Sequence, residues 1–274
     1  MSCFRAACVQ MNSGDDVAAN CIAAEALIRE AKRNGADFVA TPENTLLMTQ
    51  DRSCKLANSF FEAEDPKVPA FRKLAAELGI WLLIGSLAIR VGADRTVNRS
   101  FLISPDGTVA ARYDKIHLFD VDLPSGEVYR ESDSVDSGAH AETAELPWGK
   151  IGLSICYDLR FPQLYRALGQ AGAIVFTIPA AFTVTTGRAH WQVLARARAI
   201  ENGAFVIAPA QCGIHPGGRR TFGHSLIVSP WGEVLADGGT QPGIVAAEID
   251  PALSFDARAR IPSLSDDRPF LPPA

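Results

Sequence analysis

The chain has 274 residues, 47% hydrophobic, 21% charged and 8% aromatic, which excludes a disordered chain or a small disulfide-stapled fold and leaves room for a sizeable core. Its 26 Lys and Arg residues against 31 Asp and Glu residues give a net charge of −5, and the basic residues are scattered rather than striped, so nucleic acid is not an expected partner. There is no linker-like stretch, no apolar run of membrane-spanning length and no leader-like start, so the expectation is one domain over residues 1–274, cytoplasmic and without a membrane partner.

Along the chain, short β-rich segments alternate with helical ones. A strand is predicted at residues 6–11, followed by a helical stripe of Val17, Cys21, Ala24, Ile28 and Ala31 that closes at Gly35. A second strand at 37–41 runs into Pro42-Glu43-Asn44. Phe71, Leu74, Ala75 and Leu78 form the next stripe, ending at Gly79, and strands follow at 80–89, 97–104 and 108–113. Pro105-Asp106-Gly107 between the last two predicts a turn and antiparallel pairing. Further strands are predicted at 151–155, 173–178, 204–210, 225–229 and 244–249, with a second turn at Pro230-Trp231-Gly232. A weaker helical stripe of Trp191, Leu194 and Ala195 precedes Gly203. This alternation predicts a layered α/β fold whose stripes face a sheet.

Cofactors leave little trace. No Gly-rich phosphate loop follows a strand, so no nucleotide is expected. Cys212 and His215 have one metal-like spacing but no matching second pair, so no metal is expected either. The six cysteines lie at irregular spacings and read as reduced thiols.

Polar residues placed directly after apolar strands carry the chemistry, because ligands of open α/β sheets gather at the carboxyl ends of strands. Glu43, Lys115 and Cys156 each hold such a place. Cys156 stands between a strand and a helix, where a helix dipole and a neighbouring cation would lower its pKa toward the nucleophilic thiolate; the alternative is an inert core thiol. Glu43 is suited to take the thiol proton if burial raises its pKa, or it is a capping residue. Lys115 could steady a tetrahedral oxyanion, or simply face solvent. The competing base is a histidine, among His117, His140, His190, His215 and His224, none of which has a local signature.

Taken together, Pro42-Glu43-Asn, Tyr113-Asp-Lys115-Ile-His-Leu-Phe and Ile155-Cys156-Tyr-Asp-Leu-Arg160-Phe-Pro resemble the glutamate, lysine and cysteine motifs of the nitrilase (carbon-nitrogen hydrolase) superfamily, in that order and over almost the whole chain. The resemblance implies an αββα sandwich that dimerises into an αββααββα assembly, a homodimer acting on a small-molecule amide. It implies that Glu43, Lys115 and Cys156 form a triad, and that Lys115 and the backbone N–H of Tyr157 hold the oxyanion. Tyr129-Arg-Glu131-Ser resembles the motif of a second active-site glutamate, which makes Glu131 the candidate and Glu127 the alternative.

The segments 180–191, 196–202 and 222–232 are similar to the Nit subgroup, whose members hydrolyse amides. Residues 210–215 resemble the branch associated with deaminated glutathione more than the ω-amidase branch acting on α-ketoglutaramate. The implied activity is a thiol amidase that converts a carboxylate-bearing amide to acid and ammonia through a cysteine thioester, with ω-amidase and N-carbamoyl amino acid hydrolase as alternatives and a non-catalytic scaffold as the reading from another class. Arg160, four residues beyond the nucleophile and one turn into the following helix, is placed to fork onto a substrate carboxylate. It could instead bridge to Asp158 or Glu43. Phe182 and Thr186 match positions that line the acyl pocket in relatives.

Overall fold

Two stacked sheets with helices on their outer faces make up the computed structural model, which describes residues 2–124, 126–271 and 273. The strands of the first half are β1 (Phe4–Gln10), β2 (Phe38–Ala40), β3 (Trp81–Arg90), β4 (Thr96–Ile103) and β5 (Val109–Asp114), then the short β6 (Asp120–Asp122), β7 (Val128–Arg130) and β8 (Val135–Asp136). Those of the second half are β9 (Glu142–Leu146), β10 (Gly149–Leu153), β11 (Val175–Thr177), β12 (Phe205–Ala208), β13 (Cys212–Ile214), β14 (Arg220–Phe222), β15 (Leu226–Val228), β16 (Val234–Asp237) and β17 (Gly243–Ile249). The helices are α1 (Val17–Arg33), α2 (Arg52–Ala57), α3 (Lys67–Leu78), α4 (Pro162–Gln170), α5 (Val184–Thr186), α6 (Gln192–Asn202) and α7 (Ala252–Arg260).

One sheet runs β17-β1-β2-β3-β4-β5, with β8 added beside β4; the other runs β16-β15-β12-β11-β10-β9. Each has a parallel centre, β1-β2-β3 in one and β10-β11-β12 in the other, so the carboxyl ends of the central strands in each sheet share one edge. The period-two alternation of β1 divides the core. Ala6 and Cys8 face the second sheet, while Ala7 and Val9 pack with Ala24, Ile28 and Ala31 of α1 and with Phe71, Leu74 and Ala75 of α3. On the far side, Leu164, Tyr165 and Leu168 of α4 and Ala195 and Ala199 of α6 cover the second sheet, completing the αββα sandwich.

The ten strands expected from sequence all appear, and both Pro/Gly turns join antiparallel pairs, β4 with β5 and β15 with β16. Gly79 and Gly203 close α3 and α6 in the left-handed conformation, whereas α1 closes on Asn34 with Gly35 one residue beyond. The weak stripe around Trp191 has a physical origin: a π turn over Gly187–Trp191 precedes α6 and breaks the 3.6-residue period.

Candidate active site

Glu43 sits in the turn after β2, and its loop is fixed from below. Thr41 Oγ1 meets Thr45 Oγ1 at 2.8 Å and accepts from Gly85 N at 3.0 Å, while Asn44, with φ of 54°, turns the chain and donates its N–H to Ser86 Oγ. Gly85 permits this approach, since a Cβ there would lie 1.9 Å from Thr41 O and 2.6 Å from Pro179 Cβ. Pro179 in turn accepts the backbone N–H of Cys156 at 2.8 Å, so one glycine brings the glutamate turn and the cysteine turn together.

Lys115 leaves β5 with its backbone pinned on both sides, its N–H on Asn98 O and its carbonyl accepting from Gly138 N. Its side chain is 2% exposed, and Nζ lies 2.8 Å from Glu43 Oε1 and 2.8 Å from Glu131 Oε2. Asn98 Nδ2 reaches the same two carboxylates, at 2.9 Å from Glu43 and 3.3 Å from Glu131, and Phe119 N donates to Glu131 Oε2 at 2.7 Å. Burial opposes the ammonium, but Glu131, Glu43 and the Cys156 sulfur outweigh it and hold the Lys115 pKa well above the ordinary lysine value. Burial likewise opposes the Glu131 carboxylate, yet the Lys115 charge and the Phe119 and Asn98 donors keep it below its ordinary range. Glu131 begins the turn after β7; Glu127 instead accepts from Tyr129 OH, at 3.0 Å.

Cys156 follows β10 in a left-handed conformation, with φ of 51°. For a side-chain-bearing residue that is a strained state costing about 1–3 kcal/mol, which surrounding bonds must hold. Asp158 supplies several of them. Its carboxylate accepts from Ile155 N (2.9 Å), Tyr113 OH (2.7 Å) and His117 N (3.0 Å), and lies 2.7 Å from His117 Nδ1. It thereby ties the residue before Cys156 to residues on either side of Lys115. The N–H groups of Cys156 and Asp158 are taken by Pro179 O and Ile155 O, whereas that of Tyr157 has no such acceptor among the described residues.

The expected low thiol pKa is not found. Burial raises it well above the ordinary value, as do the charge of Glu43 and a hydrogen bond to that carboxylate, and the Lys115 ammonium only partly offsets them. The turn that follows, Cys156–Arg160, is a short 3-10 segment rather than an α-helix, so little helix dipole acts on the sulfur. The same segment corrects the expected position of Arg160, which ends this turn ahead of α4 instead of lying one turn into a helix. Its guanidinium stands over the rings of Phe182 (5.6 Å) and Tyr157 (5.8 Å) and contacts His190 Nδ1 at 3.2 Å; neither Asp158 nor Glu43 is its partner.

A cavity of about 390 Å³ opens over these groups and is lined by all eight residues singled out from sequence: Glu43, Lys115, Glu131 and Cys156 on its floor, with Tyr157, Arg160, Phe182 and Thr186 also on its walls. Phe182 packs on Trp191, and Thr186 on Thr183. No histidine is among the lining residues. His117 is stacked on Phe161, His215 is held between Ser13 O and Thr221 Oγ1, and His224 faces Asp237, so a cysteine-histidine pair does not form. Among the lining residues not foreseen are Asn98, Lys55, Tyr129 and Arg219. Asn98 stands among polar residues in the first half of β4 and Tyr129 lies in the motif that marked Glu131, whereas Lys55 and Arg219 carry no signal.

With an acid-thiol-ammonium cluster at the carboxyl ends of strands in an αββα sandwich, the class is defined. The carbon-nitrogen hydrolase family pattern matches residues 5–259, and the chain belongs to that family, as a hydrolase of carbon-nitrogen bonds. It is 42% identical over 273 residues to the deaminated glutathione amidase of Synechocystis, covering 96% of this chain and 98% of that one. It is 34% identical to the human protein Omega-amidase NIT2, covering 98% and 96%. Among solved structures, the C. elegans NitFhit protein superposes with a TM-score of 0.91 at 35% identity, covering 98% of this chain and 66% of that longer one.

Proposed function

We propose that the protein is a thiol amidase whose physiological substrate is deaminated glutathione or an amide of the same shape. The observation that carries the mechanism is Lys115 Nζ, bridged at 2.8 Å to both Glu43 and Glu131 beside a buried Cys156. Glu43 takes the thiol proton as the sulfur attacks the amide carbon, so the high thiol pKa is lowered only at the moment of attack. The tetrahedral oxyanion is received by the Lys115 ammonium and the Tyr157 N–H, donors of a kind worth about 3 kcal/mol each in the barrier. Glu43 then returns the proton to the leaving nitrogen, the carbon-nitrogen bond breaks, and a thioester remains on Cys156. Water deprotonated by Glu43 attacks that thioester through the same oxyanion site, and the thiol is restored. Glu131 and Asn98 position Lys115.

On the substrate side, Arg160 receives the acyl carboxylate, with Phe182 and Thr186 along the acyl chain. One part of the sequence expectation changes with the substrate. In deaminated glutathione the scissile nitrogen belongs to a cysteinylglycine unit, so the leaving group is an amine; ammonia is released only from a primary amide such as α-ketoglutaramate. The higher identity to deaminated glutathione amidases supports the first substrate, and the nearby ω-amidase supports α-ketoglutaramate as the second.

The test is product formation from both compounds and from an N-carbamoyl amino acid, by the wild type and by Cys156→Ala. A preference for deaminated glutathione, with turnover lost by about 10⁴-fold or more in Cys156→Ala and the thermal midpoint retained, is expected. Unchanged turnover in that variant would sink the mechanism, and a preference for another compound would move the substrate. The reading also includes a cytoplasmic homodimer. It is supported by the unpaired cysteines and by the apolar Val193 and Ile200 exposed on α6 near Trp231, and light scattering gives the check. Among the described residues no helix is long and apolar enough to cross a membrane.

A further inference from the structure

Six cations line the cavity, and they divide by how their charge is met. Lys115 is held by two carboxylates, Arg52 by Asp94 and Arg130 by Asp122. Arg160, Lys55 and Arg219 have no carboxylate within ion-pair distance among the described residues, although all three border the cavity. Asp133, the acidic lining residue outside the buried cluster, is exposed.

Arg219 and Lys55 belong to one end of the pocket. Arg219 comes from the loop between β13 and β14; its Nη2 donates to Ala181 O at 2.9 Å and its guanidinium lies 5.0 Å from the centre of the Tyr129 ring. Those contacts fix the plane of the side chain, yet its Nε is buried without an acceptor. Its Nη1 has no hydrogen-bond partner among the described residues and is the donor left for a ligand. Lys55 projects from α2, which Asp51 caps at its start, and besides its burial feels chiefly the charges of Glu131, Arg219, Lys115 and Glu43. Arg160, over Phe182 and Tyr157 and against His190, shares none of the contacts of Arg219 and is a separate cationic point.

We infer that Lys55 and Arg219 form a second carboxylate subsite, which holds the carboxylate of the leaving group and makes the enzyme selective for amides that carry an anion on both sides of the scissile bond. This rests on the proposed amidase reading, in which Arg160 takes the acyl carboxylate. A guanidinium with an unpaired Nη1 and a neighbouring ammonium are suited to one carboxylate, the arginine directing a hydrogen bond and the lysine adding charge. A substrate with one carboxylate, such as α-ketoglutaramate, would leave this end empty.

The test uses the full-length Cys156→Ala protein, which cannot turn over, and calorimetric titration with two ligands that differ by one charge. These are N-glutaryl-alanylglycine, a dianion, and its C-terminal carboxamide, a monoanion. The dianion is expected to bind about tenfold or more tightly, the size of one charge-assisted contact. Adding Lys55→Gln or Arg219→Gln should pull that ratio toward one, with Arg219→Lys intermediate, whereas Arg160→Gln should weaken both ligands alike and preserve the ratio. A ratio near one at the outset, no binding of either ligand, a ratio that survives the Lys55 and Arg219 changes, or one abolished by Arg160→Gln would each overturn the inference. A variant that only disturbs the fold weakens both ligands and leaves the ratio standing, which also counts against it. Wild-type turnover of deaminated glutathione, measured in parallel, reports on the amidase reading alone.

Discussion

The floor and the mouth of the cavity treat charge in opposite ways. On the floor, Glu43, Lys115 and Glu131 pair their charges at hydrogen-bond distance and Asn98 Nδ2 donates to both carboxylates, with Lys115 almost wholly buried and only Asn98 Oδ1 left without a partner among the described residues. At the mouth, Arg160 and Arg219 are held in place by rings, a carbonyl and a histidine, and neither they nor Lys55 have a carboxylate within ion-pair distance among the described residues. A closed network keeps its geometry fixed through a reaction; an open one waits for a ligand. In the proposed reaction the floor acts on the bond that is broken, and the mouth selects the molecule that brings it.

The largest effect that would break this division is at Lys115. Lys115→Met removes the proposed oxyanion donor and leaves two carboxylates facing each other. Turnover should fall about 10³-fold, and stability by about 3–5 kcal/mol, the usual cost of stranding one side of a buried ion pair. Denaturant titration beside steady-state rates checks both; a variant that keeps its activity would mean that the floor is structural only. Asp158→Asn tests the clamp between the two sheets. It keeps the volume but weakens four contacts that hold the Cys156 turn against Tyr113 and His117, and kcat should drop about 10–100-fold with KM little changed. A pure KM effect would contradict a positioning role.

Arg160→Leu acts at the mouth and should lower kcat/KM about tenfold for amides with an acyl carboxylate while sparing neutral amides. Equal losses on both would refute its role in carboxylate recognition. The smallest expected effect is on stability against pH. Glu131 is held below its ordinary value of 4.5 by Lys115, so its contribution is present above that value and is lost as pH falls through the lower folded value. The wild type should therefore lose thermal midpoint more steeply than Glu131→Gln below pH 4.5, and parallel curves would show that this carboxylate is not stabilised by its partners.

The sequence made the floor legible and left most of the mouth dark, for physical reasons. Glu43, Lys115 and Cys156 each follow a strand, and strand ends in such folds converge on one edge, so position made them candidates and the resemblance to the nitrilase motifs joined them into a triad. Asn98 lay inside a run that reads as ordinary strand, and the clamp by Asp158 depends on residues from another sheet. Lys55 and Arg219 resemble any surface cation until α2 and the β13-β14 loop fold over the same opening. The thiol pKa was misjudged for the same reason: the local turn was visible, but the burial and the distant carboxylate that dominate it were not. In the fold, β9 escaped notice because it is half-exposed and carries two glutamates in five residues, which blurs the apolar alternation of a strand.

The central claim is a covalent step on one sulfur. Rapid acid quench of the wild type during turnover of deaminated glutathione, followed by peptide mass analysis, should find the substrate's acyl group on the peptide containing Cys156 and on none of the peptides carrying Cys3, Cys8, Cys21, Cys54 or Cys212. Product formed at the full rate with Cys156 unacylated throughout, or an acyl group found on another cysteine, would contradict it.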